Sequence, residues 1–451
     1  MQRNISEGRS AQYYALIEQL DGPEEGEEDR GAPLLIDAIP VERAKNYLEP
    51  EADLPSLDFL LAYAEEGKGA TDQRLHETIQ LITLSDTPSN GAIPVSTAVL
   101  DDRGDGEREQ LFMTIEKMSP QDVEVCGKIG RFSVGKPASE DGIRELLENA
   151  EARSPHGIAI YDVGQANFNA VVDRYEHPRL FFDFGRPIGL KARTKPLLAN
   201  FNPLAFNDAE PVVLSHLDQD HWLFAVESGG AAWDSTGKYW KTAPKYRDSA
   251  LQRKWVIRLP EGVLYWGSHI HFLRTLASNG SLFVWPEGSV HIQGASIGIW
   301  SCSPSAGSPN TQSYLKNNSS LALRVDSAHS AAVLCGDADY GSFAPGVFVD
   351  VTAVVAPHHG GKIQLGATPV VRGPGRMVLS TYENAYPSVP HDQTIADALN
   401  NGWFVTRTDA RHSCGRCGEF HGHKYIPLAG TQPECGCGVV TSAQICLPHV
   451  Q

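Results

Sequence analysis

Glu210-Pro-Val-Val-Leu-Ser-His216-Leu-Asp218-Gln-Asp220-His221 is the stretch that decides the fold. An apolar strand runs straight into two imidazoles and two carboxylates within six residues. Such a group repels itself and resists burial unless a cation compensates it. A tight turn can aim His216 and Asp218 at one ion and Asp220 and His221 at another. Mixed nitrogen and oxygen donors suit Zn or Mn better than Ca or an all-thiolate site. The same texture, a short apolar strand ending in polar side chains, recurs outward from this stretch: GIAIYDVGQAN (157–167), RLFFDFG (179–185), SLALRV (320–325), AAVLCGDADY (331–340), VTAVVAPHHGG (351–361) and RMVLSTYEN (376–384). Asp337, His358 and His359 each follow such a strand. Polar groups at the same end of many strands gather on one rim of a β-core, where layered α/β folds build their sites.

Taken together, HLDQDH, the GD of Gly336-Asp337 and PHHGG resemble the metallo-β-lactamase superfamily, whose HxHxDH signature is matched except that Asp218 stands at its second position. The closer resemblance is to the nuclease-like domain of ComEC-type competence proteins, through DVGQAN, FFDFG with Asp183, NNSSLALRV (317–325), LSTYENAY (379–386) with His391 beyond it, and TRTD (406–409). The resemblance implies an αββα sandwich over residues 151–410 with one or two Zn or Mn ions and a metal-activated water. By position His216 and Asp218 serve the first ion, Asp220 and His221 the second, Asp337 bridges, and one of His358 and His359, with His358 preferred, completes the second site. Asp220 and His391 are the catalytic candidates, His391 as an acid to a leaving oxygen. No Gly-His-Thr segment supplies the third histidine of the first site. Aspartate in place of histidine makes the site harder, favouring phosphoester chemistry over lactam or thioester chemistry. The expected activity is therefore a phosphodiesterase or nuclease. Hydrolysis of a small substrate and a regulatory module with a structural metal are the alternatives.

An insertion at 222–316 carries Lys238, Lys241, Lys245, Arg247, Arg253 and Lys254 among Tyr239, Trp240, Tyr246 and Trp255. Basic groups interleaved with aromatics fit phosphate contact and base stacking, so these six are the candidate substrate-binding residues. Arg186, Lys191, Arg193 and Lys195 add to them.

The chain has 38 basic and 55 acidic residues in 451, a formal charge of −17. Residues 1–150 hold 14 basic and 31 acidic residues, so 14 − 31 = −17 lies in that region, leaving the metal-bearing remainder neutral and compatible with a polyanionic substrate. Residues 1–150 read as an acidic α+β region that could dock a protein partner. Within it helices are expected at Tyr13–Leu20 and, after Ser56 as N-cap, at Leu57–Ala64; strands are expected at 80–84, 95–100 and 111–115, and GPEEGEEDRG (22–31) as a solvated linker. Five of the eight cysteines lie in the last 38 residues. Cys414, Cys417, Cys435 and Cys437 have the spacing of a structural Zn knuckle in a Cys/His-rich tail, 411–451. No apolar run is long enough to span a membrane, and the start lacks the apolar stretch of a signal peptide, which favours a cytoplasmic protein.

Overall fold

The computed structural model describes residues 8–19, 34–47, 57–64, 78–100, 108–130, 134, 136–187, 204, 209–328, 330–364, 366–382, 389–413, 420–428, 440–441 and 444–445. The chain divides into two compact units: residues 1–134 with 226–246 and 264–278, and residues 135–225 with 247–263 and 279–451. The insertion is thus shared between the units, and 226–246 and 264–278 build on the acidic region.

In the first unit six antiparallel strands close a barrel in the order Ser10–Gln19, Leu34–Pro40, Leu60–Ala64, Ile93–Thr97, Gln110–Glu116, Ile79–Ser85. Tyr13, Ala15, Ile17, Leu34, Ile36 and Ala38 alternate into its core. The residues between them are buried too, so Leu34–Pro40 is covered on both faces. The helix Gly267–Ser278 helps to cover the outside. The Ser268 amide donates to Asp37, and Trp266 Nε1 donates to the Tyr14 carbonyl at 2.9 Å. The two expected helices are therefore strands. A strand buried on both faces reads as a continuous apolar run, in which i, i+3, i+4 matches arise without helical periodicity. The three expected strands are present as Ile79–Ser85, Ile93–Thr97 and Gln110–Glu116. Ser56 and residues 22–31 lie outside the described residues.

The second unit holds two seven-stranded sheets. The first runs Leu282–Val284, Trp255–Ile257, Val212–Leu214, Pro178–Phe184, Phe168–Val172, Gly157–Ile160, Lys424–Pro427, and the second His291–Gln293, Ile297–Ser301, Leu321–Asp326, Ala331–Leu334, Ala353–Val355, Gly375–Leu379, Trp403–Arg407. Ile158, Val171, Phe182 and Val213 from one sheet share a single core with Ile299, Leu323, Leu334 and Val355 from the other, so the sheets face each other. Successive side chains point to opposite faces. Val333, Val354 and Met377 accordingly pack outward, against Ala398 of the helix Asp392–Asn400. On the outer face of the first sheet Phe168, Phe181, Phe184 and Trp255 form an aromatic cluster with Phe224. Ser139 caps the helix Glu140–Glu151, whose Ile143, Leu147 and Ala150 join the shared core.

The segment expected to be a separate tail begins inside this sandwich. Lys424–Pro427 is an edge strand paired antiparallel with Gly157–Ile160. Arg411 and the Gly422 amide both bond Asp162 of the DVGQ turn, and the Asp162 amide donates to His423 Nδ1 at 2.8 Å. Cys414, Cys417, Cys435 and Cys437 lie outside the described residues. No described helix is long and apolar enough to cross a membrane.

Candidate metal centre

The strands Val212–Leu214, Ala331–Leu334 and Ala353–Val355 deliver HLDQDH, Asp337 and the His358-His359 pair to one rim. The two sheets touch there: the Leu321 amide donates to the Ser215 carbonyl at 2.8 Å. Gly336, in the left-handed region at φ +58°, leaves room for Ser215, since a Cβ on it would lie 2.5 Å from the Ser215 Cβ. Gly185 is needed for a closer approach, because a Cβ there would overlap the Asp220 carbonyl.

Three imidazoles converge. His216, His221 and His359 are all buried, and each turns Nε2 onto a carboxylate oxygen, of Asp218, Asp337 and Asp220 respectively, at 3.1–3.3 Å without well-formed hydrogen-bond geometry. Buried imidazoles and carboxylates crowded in this way are costly, and a cation among them removes the cost. Donor atoms of His216, His221 and Asp337 lie within 4.8 Å of one another, as do those of Asp220, His221 and His359. Asp337 Oδ1 is 3.3 Å from His221 Nε2, and Asp220 Oδ2 is 3.3 Å from His359 Nε2. The chemistry and spacing of these donors fit a divalent ion.

The opposite ring nitrogens are anchored. His221 Nδ1 lies 2.9 Å from Asp183 Oδ2 and 3.1 Å from Ser215 Oγ, and Asp183 also accepts from the Ser215 amide at 2.7 Å. His359 Nδ1 lies 2.9 Å from the Ser380 carbonyl, which can only accept. Both bonds put the proton on Nδ1 and turn Nε2 toward the cluster. Asn167 Nδ2 donates to Asp337 Oδ1 at 3.3 Å.

Electrostatics follow from crowding. Burial opposes charge on the His221 ring, but Asp337 and Asp183 outweigh it and lift its pKa well above the histidine norm. Burial likewise opposes ionised Asp337, and His221, His358 and His359 together hold it well below the carboxylate norm. At Asp218 burial is overcome by Lys316 and then His216, again holding the carboxyl low.

His359, rather than the preferred His358, enters the cluster. Both adopt left-handed backbone at φ +56° and +49°. That turn buries His359, whereas the His358 side chain is 39% exposed, with Nδ1 3.9 Å from Asp337 Oδ2 and 3.4 Å from Asn317 Nδ2. Asp218, expected on the first ion, has Oδ2 3.1 Å from His216 Nε2 and forms an ion pair with the buried Lys316 through its other oxygen. His391 caps the helix Asp392–Asn400, its Nδ1 accepting from the Gln393 amide.

The basic residues of the insertion divide between the two units. Trp240 and Tyr239 are buried in the barrel core, which corrects the expectation that they stack on bases. Lys238 sits in the adjoining turn, Lys241 pairs with Asp234 at 2.9 Å and Lys245 with Glu227 at 2.7 Å. In the other unit Arg247 donates to the Phe224 carbonyl, the buried Arg253 pairs with Glu210 at 2.6 Å, and Lys254 donates to the Gly280 carbonyl. Arg186 is buried, and Lys191, Arg193 and Lys195 lie outside the described residues. Sequence reasoning missed Ser215, Asn167, Lys316 and Ser380. Ser215 could have been found from its place between strand and first histidine, and Asn167 and Ser380 from the DVGQAN and LSTYENAY stretches that hold them; Lys316 carries no local signal.

The second unit is therefore a two-sheet sandwich with a buried histidine–aspartate centre at its rim. No protein-family model matches the chain, and no curated protein matches it in sequence. Among solved structures, it aligns with Tm1679, a metal-dependent hydrolase of the β-lactamase superfamily, at 12% identity over 56% of this chain and 96% of that one, with a TM-score of 0.29. It also aligns with Zn(2+)-bound PqqB from Methylobacterium extorquens, at 8% identity over 55% of this chain and 97% of that one, with a TM-score of 0.30.

Proposed function

We infer that the chain is a metal-dependent hydrolase of the metallo-β-lactamase type, similar to the nuclease-like domain of ComEC-type proteins, and that it cleaves phosphodiesters. The observation that carries this reading is the convergence of three buried imidazole Nε2 atoms with Asp220 and Asp337 in two groups of donors within 4.8 Å. Donors from these groups would hold the metal, of which Zn or Mn suits them. A divalent ion in such a place polarises a phosphoryl oxygen and makes water acidic enough to attack near neutral pH. The chain's own groups prepare the site. Asp183, Ser215 and the Ser380 carbonyl fix the imidazole tautomers, Asn167 steadies Asp337, and Gly185 and Gly336 let the two rims close. A donor set of nitrogen and oxygen without thiolate favours hard, oxygen-rich substrates.

Hydrolysis of a small phosphodiester is the second reading, favoured by the pairing of Lys241, Lys245 and Arg253 with acidic neighbours, which leaves less basic surface for a polymer. Single- and double-stranded DNA, RNA and bis(p-nitrophenyl) phosphate, each offered with Mn or Zn, separate the readings. Cleavage of any of them, abolished in Asp220→Ala, is expected. Turnover of the small ester alone supports the second reading, and failure on every substrate refutes both.

A further inference from the structure

The strand pair that closes the rim also brings in Lys316, from the helix Gln312–Asn318 that immediately precedes Leu321–Asp326. Its side chain is 5% exposed and forms an ion pair with Asp218. A buried ammonium beside a group of metal donors is unusual, because lysine offers no lone pair while charged and repels a divalent ion that shares its carboxylate. The other oxygen of Asp218 lies 3.1 Å from His216 Nε2, and Asp337 Oδ2 lies 4.0 Å from the same nitrogen. Those three groups are what a first ion would use. Donor atoms of Asp220, His221 and His359 form a second group within 4.8 Å of one another, and His221 Nε2 also lies 3.3 Å from Asp337 Oδ1. The partners therefore split. One group is all donors and lacks a cation, and the other already contains one.

We propose that Lys316 takes the place of a first metal ion, so that the centre binds a single divalent ion on Asp220, His221, His359 and Asp337, with Lys316 as its fixed second positive charge. The proposal rests on the metal-dependent reading above. It accounts for aspartate at position 218 and for the missing Gly-His-Thr histidine. A carboxylate is the side chain that an ammonium needs opposite it, and a third imidazole would have nothing to bind.

Manganese(II) is the probe, since thiolates in the cysteine-rich segment bind it poorly. It is titrated into metal-stripped full-length protein, and the bound equivalents are counted from the loss of the free-ion paramagnetic resonance signal. The wild type is expected to bind one ion, Lys316→Ala two, and Lys316→Ala combined with Asp218→Asn one again. Lys316→Arg keeps the cation and should bind one. Two ions on the wild type, or one on a folded Lys316→Ala, overturn the proposal while leaving a metal-dependent enzyme. No ion on the wild type overturns both. Should Lys316→Ala not fold, Lys316→Met, which retains the apolar stem, replaces it and must bind two.

Discussion

Replacing Asp183 by Asn tests how the chain prepares His221 for metal. Asp183 is fully buried and accepts from the Ser215 amide at 2.7 Å, from Ser215 Oγ at 3.0 Å and from His221 Nδ1 at 2.9 Å. It sits at φ +60°, a region asparagine tolerates, so the change adds no backbone strain. The amide has one acceptor and one donor end. If its oxygen stays on the Ser215 amide, its NH2 faces His221 Nδ1 and forces the proton to Nε2, the atom that must be free for the ion. If the amide turns over, two donors confront each other at the Ser215 amide. Either way one charge-assisted bond is lost, at about 1.5–3 kcal/mol, which corresponds to roughly 10–100-fold in affinity. Loss of a carboxylate behind a ligating histidine weakens metal binding by about the same factor elsewhere. Competition with a chelator of known affinity gives the dissociation constant, and a thermal melt of the metal-free protein reports on the fold. An unchanged dissociation constant in a folded Asp183→Asn would refute the tautomer reasoning and reduce Asp183 to a support of the turn.

The two adjacent histidines should separate cleanly: His359→Ala loses metal on dialysis, whereas His358→Ala, which removes a half-exposed ring, retains it. Metal analysis after dialysis decides, and equal retention would contradict the assignment. In the barrel unit His271, whose Nδ1 lies 2.9 Å from the Tyr246 hydroxyl, is pushed by burial from 6.5 down to about 4. The unfolded chain then takes up this proton first, so stability is full above about pH 6.5 and falls as pH drops toward 4, by about 3 kcal/mol. Urea unfolding across that window should show the decline, and His271→Gln should flatten it; an identical pH slope in the variant would remove His271 as the cause.

Much of the sandwich was legible because the strands that lead to the site are short apolar runs stopped by glycine or by a charged ligand, as at Leu214-Ser-His216 and Leu334-Cys-Gly-Asp337. Burial within and chemistry at the end leave a local mark. The barrel was less so. Tyr13–Ile17 and Leu60–Ala64 are buried on both faces, which erases the alternation that separates strand from helix. The basic insertion misled for a related reason. Trp240 and Tyr239 serve the barrel core, and a composition count cannot tell a stacking aromatic from a packed one. Lys316 was invisible because its meaning depends on Asp218, 98 positions away and joined to it only when the two sheets close.

A crystal of the full-length protein soaked in zinc, with the anomalous difference map calculated at the zinc edge, addresses the centre itself. The account predicts a peak about 2.0–2.2 Å from His221 Nε2, His359 Nε2 and an Asp220 oxygen. Anomalous density confined to the cysteine-rich segment, with these three side chains bonded only to one another, would contradict it.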